Sequence, residues 1–87
     1  MTPQEIVDRA ERAKEVLDNP TLQKAFEGVR GALVIKLEEV ALGDIETQHE
    51  IAVSLQLLKQ LKRQLHNWVN DGTLEKEKAK VESSRRR

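Results

Sequence analysis

Between Gly43 and Gly72 the chain runs for 28 residues with neither glycine nor proline. Apolar residues recur there at Ile51, Leu55, Leu58, Leu61, Leu65, Trp68 and Val69. Steps of three and four residues put them on one face of an α-helix, and Ile51, Leu58 and Leu65 stand seven apart. A stripe this long needs a partner helix. No run in the sequence alternates as a strand does, so the chain is expected to be all-α.

The remaining helices are marked by their ends. Thr2-Pro3-Gln4-Glu5 reads as a capping box with proline in the first turn. Ile6, Ala10, Ala13 and Leu17 follow at helical spacing to Asp18, a narrow stripe that is half alanine. Asn19-Pro20 stops this helix and caps the next. The second helix is expected over residues 20–42, with Leu22, Phe26, Val29, Leu33, Leu37 and Val40 as its stripe and Gly43 as a left-handed stop. Asp44 caps a third helix over residues 45–70, which Asp71-Gly72 closes. The short link at Gly43-Asp44 folds the two long helices into an antiparallel hairpin. Phe26, Leu33, Leu58, Leu61, Leu65 and Trp68 are the expected core. Residues 1–74 then form the helical domain, and residues 75–87 a charged, disordered tail.

More apolar surface remains than one seam can use. Gly28, Gly31, Ile35 and Leu42 follow a second line along the second helix, and Leu57 lies off the stripe of the third. Each mid-helix glycine costs roughly 1 kcal/mol against alanine, which close approach of another helix would offset. The first helix, a second copy, or a larger protein are the candidates to cover this face. Assembly into a helical bundle is therefore expected, with Gly28, Gly31, Ile35, Leu42 and Leu57 as partner-binding residues.

Formal net charge is zero, yet residues 1–50 carry six basic and eleven acidic side chains and residues 51–87 nine basic and four acidic. Such a dipolar chain pairs with a copy of itself or with a charged partner. Arg85, Arg86 and Arg87 end the sequence and are the candidate contacts to nucleic acid. Against that role, the tail lysines alternate with Glu75, Glu77 and Glu82, and one Phe and one Trp make no platform for bases.

Catalytic and metal chemistry find little support. There is no cysteine. Glu46-Thr47-Gln48-His49 has Glu-x-x-His spacing but falls in the first turns after the hairpin bend, where acidic residues favour a helix N-terminus anyway. His49 and His66 stand about 25 Å apart along one helix, too far to share an ion. Ser54 falls on the third helix and Ser83 and Ser84 in the tail, where a hairpin offers no concave site for a nucleophile and its base, and no glycine-rich phosphate loop occurs. No enzyme activity, cofactor or metal is expected, and no apolar run is long enough for a membrane span.

The run Arg9-Ala10-Glu11-Arg12-Ala13-Lys14-Glu15-Val16-Leu17-Asp18-Asn19-Pro20, followed by Leu22-Gln23-Lys24-Ala25-Phe26 and later by Trp68-Val69-Asn70-Asp71-Gly72-Thr73-Leu74, resembles small helical proteins of tailed-bacteriophage and prophage genomes. These tend to be encoded near head and DNA-packaging genes. The resemblance implies a virion or assembly component, made in the host cytoplasm. It acts as an oligomer or bound to a larger phage protein, and it brings no catalytic residues. The alternative is a small DNA-associated packaging accessory or regulator that uses its basic C-terminal tail.

Overall fold

The computed structural model describes residues 1–85. It contains three helices, α1 (Pro3–Asp18), α2 (Pro20–Glu39) and α3 (Ile45–Arg85). No strand occurs among the described residues, so the chain is all-α.

Two of the helix starts follow the expected chemistry closely. The Glu5 N–H donates to Thr2 Oγ1 at 3.2 Å, and the Thr2 hydroxyl donates to Glu5 Oε1 at 3.0 Å. The glutamate thus closes the box on the threonine hydroxyl. Asn19 stands in extended backbone, and its Oδ1 accepts from the N–H groups of Thr21 and Leu22 at 2.9 and 3.3 Å. Pro20 needs no acceptor for a missing N–H. Asn19→Ala is expected to lower stability by about 1 kcal/mol, read from thermal unfolding, because two N–H groups lose their acceptor. Asn19→Asp should retain most of it.

The hairpin link differs from expectation. α2 stops at Glu39, not at Leu42. Val40 turns to extended backbone with ψ of 136°, while its N–H still donates to the Lys36 carbonyl at 3.1 Å. Gly43 is not left-handed, since no glycine here has positive φ. Side chains stabilise the turn instead. Gln48 Nε2 donates to the carbonyls of both Ala41 and Leu42 at 3.0 Å. The Asp44 N–H donates to the Ala41 carbonyl at 2.9 Å, and Asp44 Oδ1 accepts from the Thr47 N–H at 3.2 Å.

The chain divides into two compact units, Asn19–Lys62 and Met1–Asp18 with the part of α3 from Arg63 onward. In the first, α2 and the N-terminal part of α3 form the antiparallel hairpin. Ile51 is buried at 5% exposure, and Leu22, Phe26, Leu33, Val34, Leu55 and Leu58 are half-buried. The Lys62 ammonium lies 5.3 Å from the centre of the Phe26 ring. The inward line on α3 is therefore Ile51, Leu55 and Leu58, and the exposed Lys62 continues it by reaching back over Phe26. Leu61, expected in the core, is 54% exposed. One residue before Lys62, it is turned about 100° from that line.

In the second unit α1 packs through its small residues. Ala10 and Ala13 are buried, at 7% and 3% exposure, and Gly72 is buried with them. A Cβ built on Gly72 would overlap the Cβ of Ala10. Gly72 is thus a contact point and not a helix stop, and α3 continues through it to Arg85 instead of ending near Asn70. The close approach offsets the roughly 1 kcal/mol that glycine costs inside a helix. Arg9 flanks the contact, with its guanidinium 5.0 Å from the centre of the Trp68 ring and Nη2 3.4 Å from Asp71 Oδ2.

The stretch from residue 75, expected as a disordered tail, is helical through Arg85. Glu and Lys dominate it, both good helix formers, and Lys78 Nζ stands 3.5 Å from Glu75 Oε1 one turn back. Lys76 Nζ lies 3.9 Å from Glu11 of α1.

Candidate interaction surface

Local sequence decides where apolar side chains meet water. On α2, Gly28, Gly31 and Ile35 lie at steps of three and four residues and share a face. A Cβ at Gly28 or Gly31 would meet nothing within 4 Å, and Ile35 is 57% exposed. Within the hairpin unit, therefore, nothing fills the space at these two glycines. Leu42 was placed on the same line by assuming that α2 reaches it. It stands instead in the turn, at 94% exposure, and the α2 line ends at Ile35.

Leu57 is exposed as well, and it belongs to a separate stripe. Val53, Leu57 and Leu61 follow at steps of four along α3, and all three are exposed. The predicted residues thus fall on three places of the hairpin unit: the back of α2, the turn, and a stripe on α3. Arg85 ends α3 and is exposed; Arg86 and Arg87 lie outside the described residues.

Two features escaped the reading of the sequence. Ile45, the first residue of α3, is 74% exposed and stands beside the turn with Leu42. Its position directly after the Asp44 cap was the available signal, since a first-turn residue has no preceding turn to pack upon. The other is a groove of about 630 Å³ between α2 and α3. Phe26, Val34, Leu55 and Leu58 supply its apolar side chains, and Arg30, Lys59 and Lys62 its cations. Phe26 and Leu58 were read as core, but at half-burial they also line an open surface.

Among the described residues no group of three His, Asp or Glu side chains is placed to hold a metal ion. No helix of the described residues is long and apolar enough to cross a membrane. What the geometry offers is apolar surface bordered by charge, suited to binding another macromolecule. No protein-family model matches the chain, and no curated protein and no solved structure matches it.

Proposed function

We propose that the chain is a non-enzymatic interaction protein that acts through helix-helix contacts, as an oligomer or bound to a larger protein. The observation that carries this reading is the imbalance of burial. Among the described residues only Ala10, Ala13 and Ile51 are buried apolar residues, whereas Ile35, Leu42, Ile45, Leu57 and Leu61 are each more than half exposed. Burial of apolar area is the main favourable term in folding, and a small domain has little of it to spare. A second protein laid over these side chains supplies what the single chain lacks. The resemblance of residues 9–20, 22–26 and 68–74 to runs of bacteriophage proteins supports placing the chain among virion or assembly components, made in the host cytoplasm. The DNA-associated alternative is second. Lys76 and Lys78 already stand near Glu11 and Glu75, and Lys62 covers a phenyl ring, which leaves less cationic surface for phosphate.

Sedimentation at micromolar concentration, combined with a thermal melt and binding of a hydrophobic dye, tests the reading. The expected result is an associated species that persists in high salt, or a monomer that binds dye and melts broadly. A monomer with a sharp cooperative transition and no dye binding would show that these faces need no cover, and the reading falls.

A further inference from the structure

The two ends of the hairpin unit complement each other in charge and in form. At the turn, Leu42 and Ile45 project at 94% and 74% exposure. Glu38, Glu39, Asp44 and Glu46 surround them in sequence. The turn is preorganised for contact, because Gln48 holds two of its carbonyls and Asp44 caps the helix that follows. Toward the other end lies the groove, with its apolar side chains and its three cations, Arg30, Lys59 and Lys62. Glu27 is the one carboxylate among its lining residues. From Phe26 to Val34 the groove extends for about 12 Å along α2, room for two aliphatic side chains.

Ile45 lies on the side of α3 that borders the groove. Ile45 stands eleven residues before Gln56 and fourteen before Lys59, spacings of three and four helical turns, and both of those residues line the groove. Two hairpins laid antiparallel about a two-fold axis therefore bring each turn to the other's groove. A two-fold contact closes on itself and uses both features twice.

We infer that the occupant of the groove is the Leu42–Ile45 turn of a second copy of this chain, in a reciprocal contact. Leu42 and Ile45 pack against Phe26, Val34, Leu55 and Leu58 of the neighbour, while the carboxylates around the turn face the neighbour's Arg30 and Lys59. This rests on the reading of the chain as an interaction protein and names its partner and the surface used. The back of α2, with Gly28, Gly31 and Ile35, stays outside the contact.

Charge exchange tests it with exposed residues alone. One variant carries Arg30→Glu with Lys59→Glu; the other carries Glu38→Lys with Glu46→Lys. Wild type is expected to sediment as a dimer. Each variant alone should dissociate, with Kd raised at least about a hundredfold by like charges at both contacts. An equimolar mixture should recover a heterodimer with Kd near the wild-type value, since opposite charges then face each other twice. Circular dichroism establishes that each variant is helical, and recovery on mixing excludes loss of folding as the cause.

Three outcomes overturn the inference. A wild-type oligomer that persists in both charge variants and in Leu42→Glu, but is lost in Ile35→Glu, places the contact on the back of α2 and leaves the broader reading standing. A wild-type monomer that binds dye and melts broadly excludes a second copy and points to a different protein as partner. A monomer with a sharp transition and no dye binding removes both the inference and the reading beneath it.

Discussion

Gly72→Ala is expected to destabilise the protein by about 1–3 kcal/mol, the usual cost of forcing extra volume into a packed contact. At an ordinary helix position the same change stabilises by roughly 1 kcal/mol. The sign reverses here because the new methyl would occupy the place of the Ala10 Cβ. Neither partner has a flexible side chain that can move aside, so α1 and α3 must separate locally. Gly28 and Gly31 are internal controls. Their surroundings are open, and Gly28→Ala and Gly31→Ala should each raise the stability of the single chain. A matched substitution sharpens the test further: Ala10→Gly in the Gly72→Ala background returns the missing space and should recover most of the loss. Such a sign change between contacting residues is the coupling that a double-mutant cycle measures. Thermal unfolding by far-UV circular dichroism reads all of these variants. Trp68, the only indole, reports the same contact by fluorescence, because Arg9 of α1 lies over its ring. Equal stabilisation by alanine at Gly28, Gly31 and Gly72 would show that the packing at Gly72 is not tight.

The same glycine shows what could be read in advance and what could not. Asp71-Gly72 looks locally like the end of a helix, and local chemistry was the only guide. Tertiary packing reversed that reading, since a buried helix contact can favour glycine more strongly than helix propensity disfavours it. The helix starts were legible because caps are local: Thr2 with Glu5, Asn19 with Pro20, and Asp44 each satisfy N–H groups within three residues. The end of α2 was less legible because Gln48, eight residues beyond Val40, supplies the donors that hold the turn. The helical stretch from residue 75 was misread because few apolar residues there suggested disorder, while its helix-forming composition pointed the other way.

For the candidate surface, exposure at Ile35 and Leu57 followed from their departure from the main stripes. Periodicity could also have warned against Leu61, which stands one residue before Lys62 on α3. The stripe of Ile51, Leu55 and Leu58 continues by a step of four to Lys62, but a lysine is not counted as apolar, and the eye moves on to leucine. Lys62 keeps this place while exposed, because its long stem lets the ammonium reach the face of the Phe26 ring. The groove had no sequence signal of its own. It lies between two helices whose facing side chains are only half-buried, and such spacing is a property of the packed pair.

Ile51→Ala should be the most damaging substitution in the hairpin unit. Ile51 is the one large apolar residue among the described residues that is buried, at 5% exposure. Truncating a buried isoleucine to alanine costs about 2–5 kcal/mol, from lost transfer free energy and from the cavity left behind. Domains of this size have roughly 5–15 kcal/mol in total, so a large share of the stability is at stake. Leu61→Ala, which removes a similar volume one face away, should cost under about 1 kcal/mol in the single chain, because Leu61 already stands 54% exposed. The contrast separates two layouts of the hairpin. If Leu61 filled the second seam position beside Ile51, Leu58 and Leu65, it would match Leu58 and Leu65 in burial and the two substitutions would have similar effects. With Ile51, Leu55 and Leu58 inward and the line continued by Lys62, the effects differ severalfold. Chemical unfolding of the two variants under identical conditions decides between them: equal midpoints favour a seam that includes Leu61, and an early midpoint for Ile51→Ala alone favours the line that passes through Lys62.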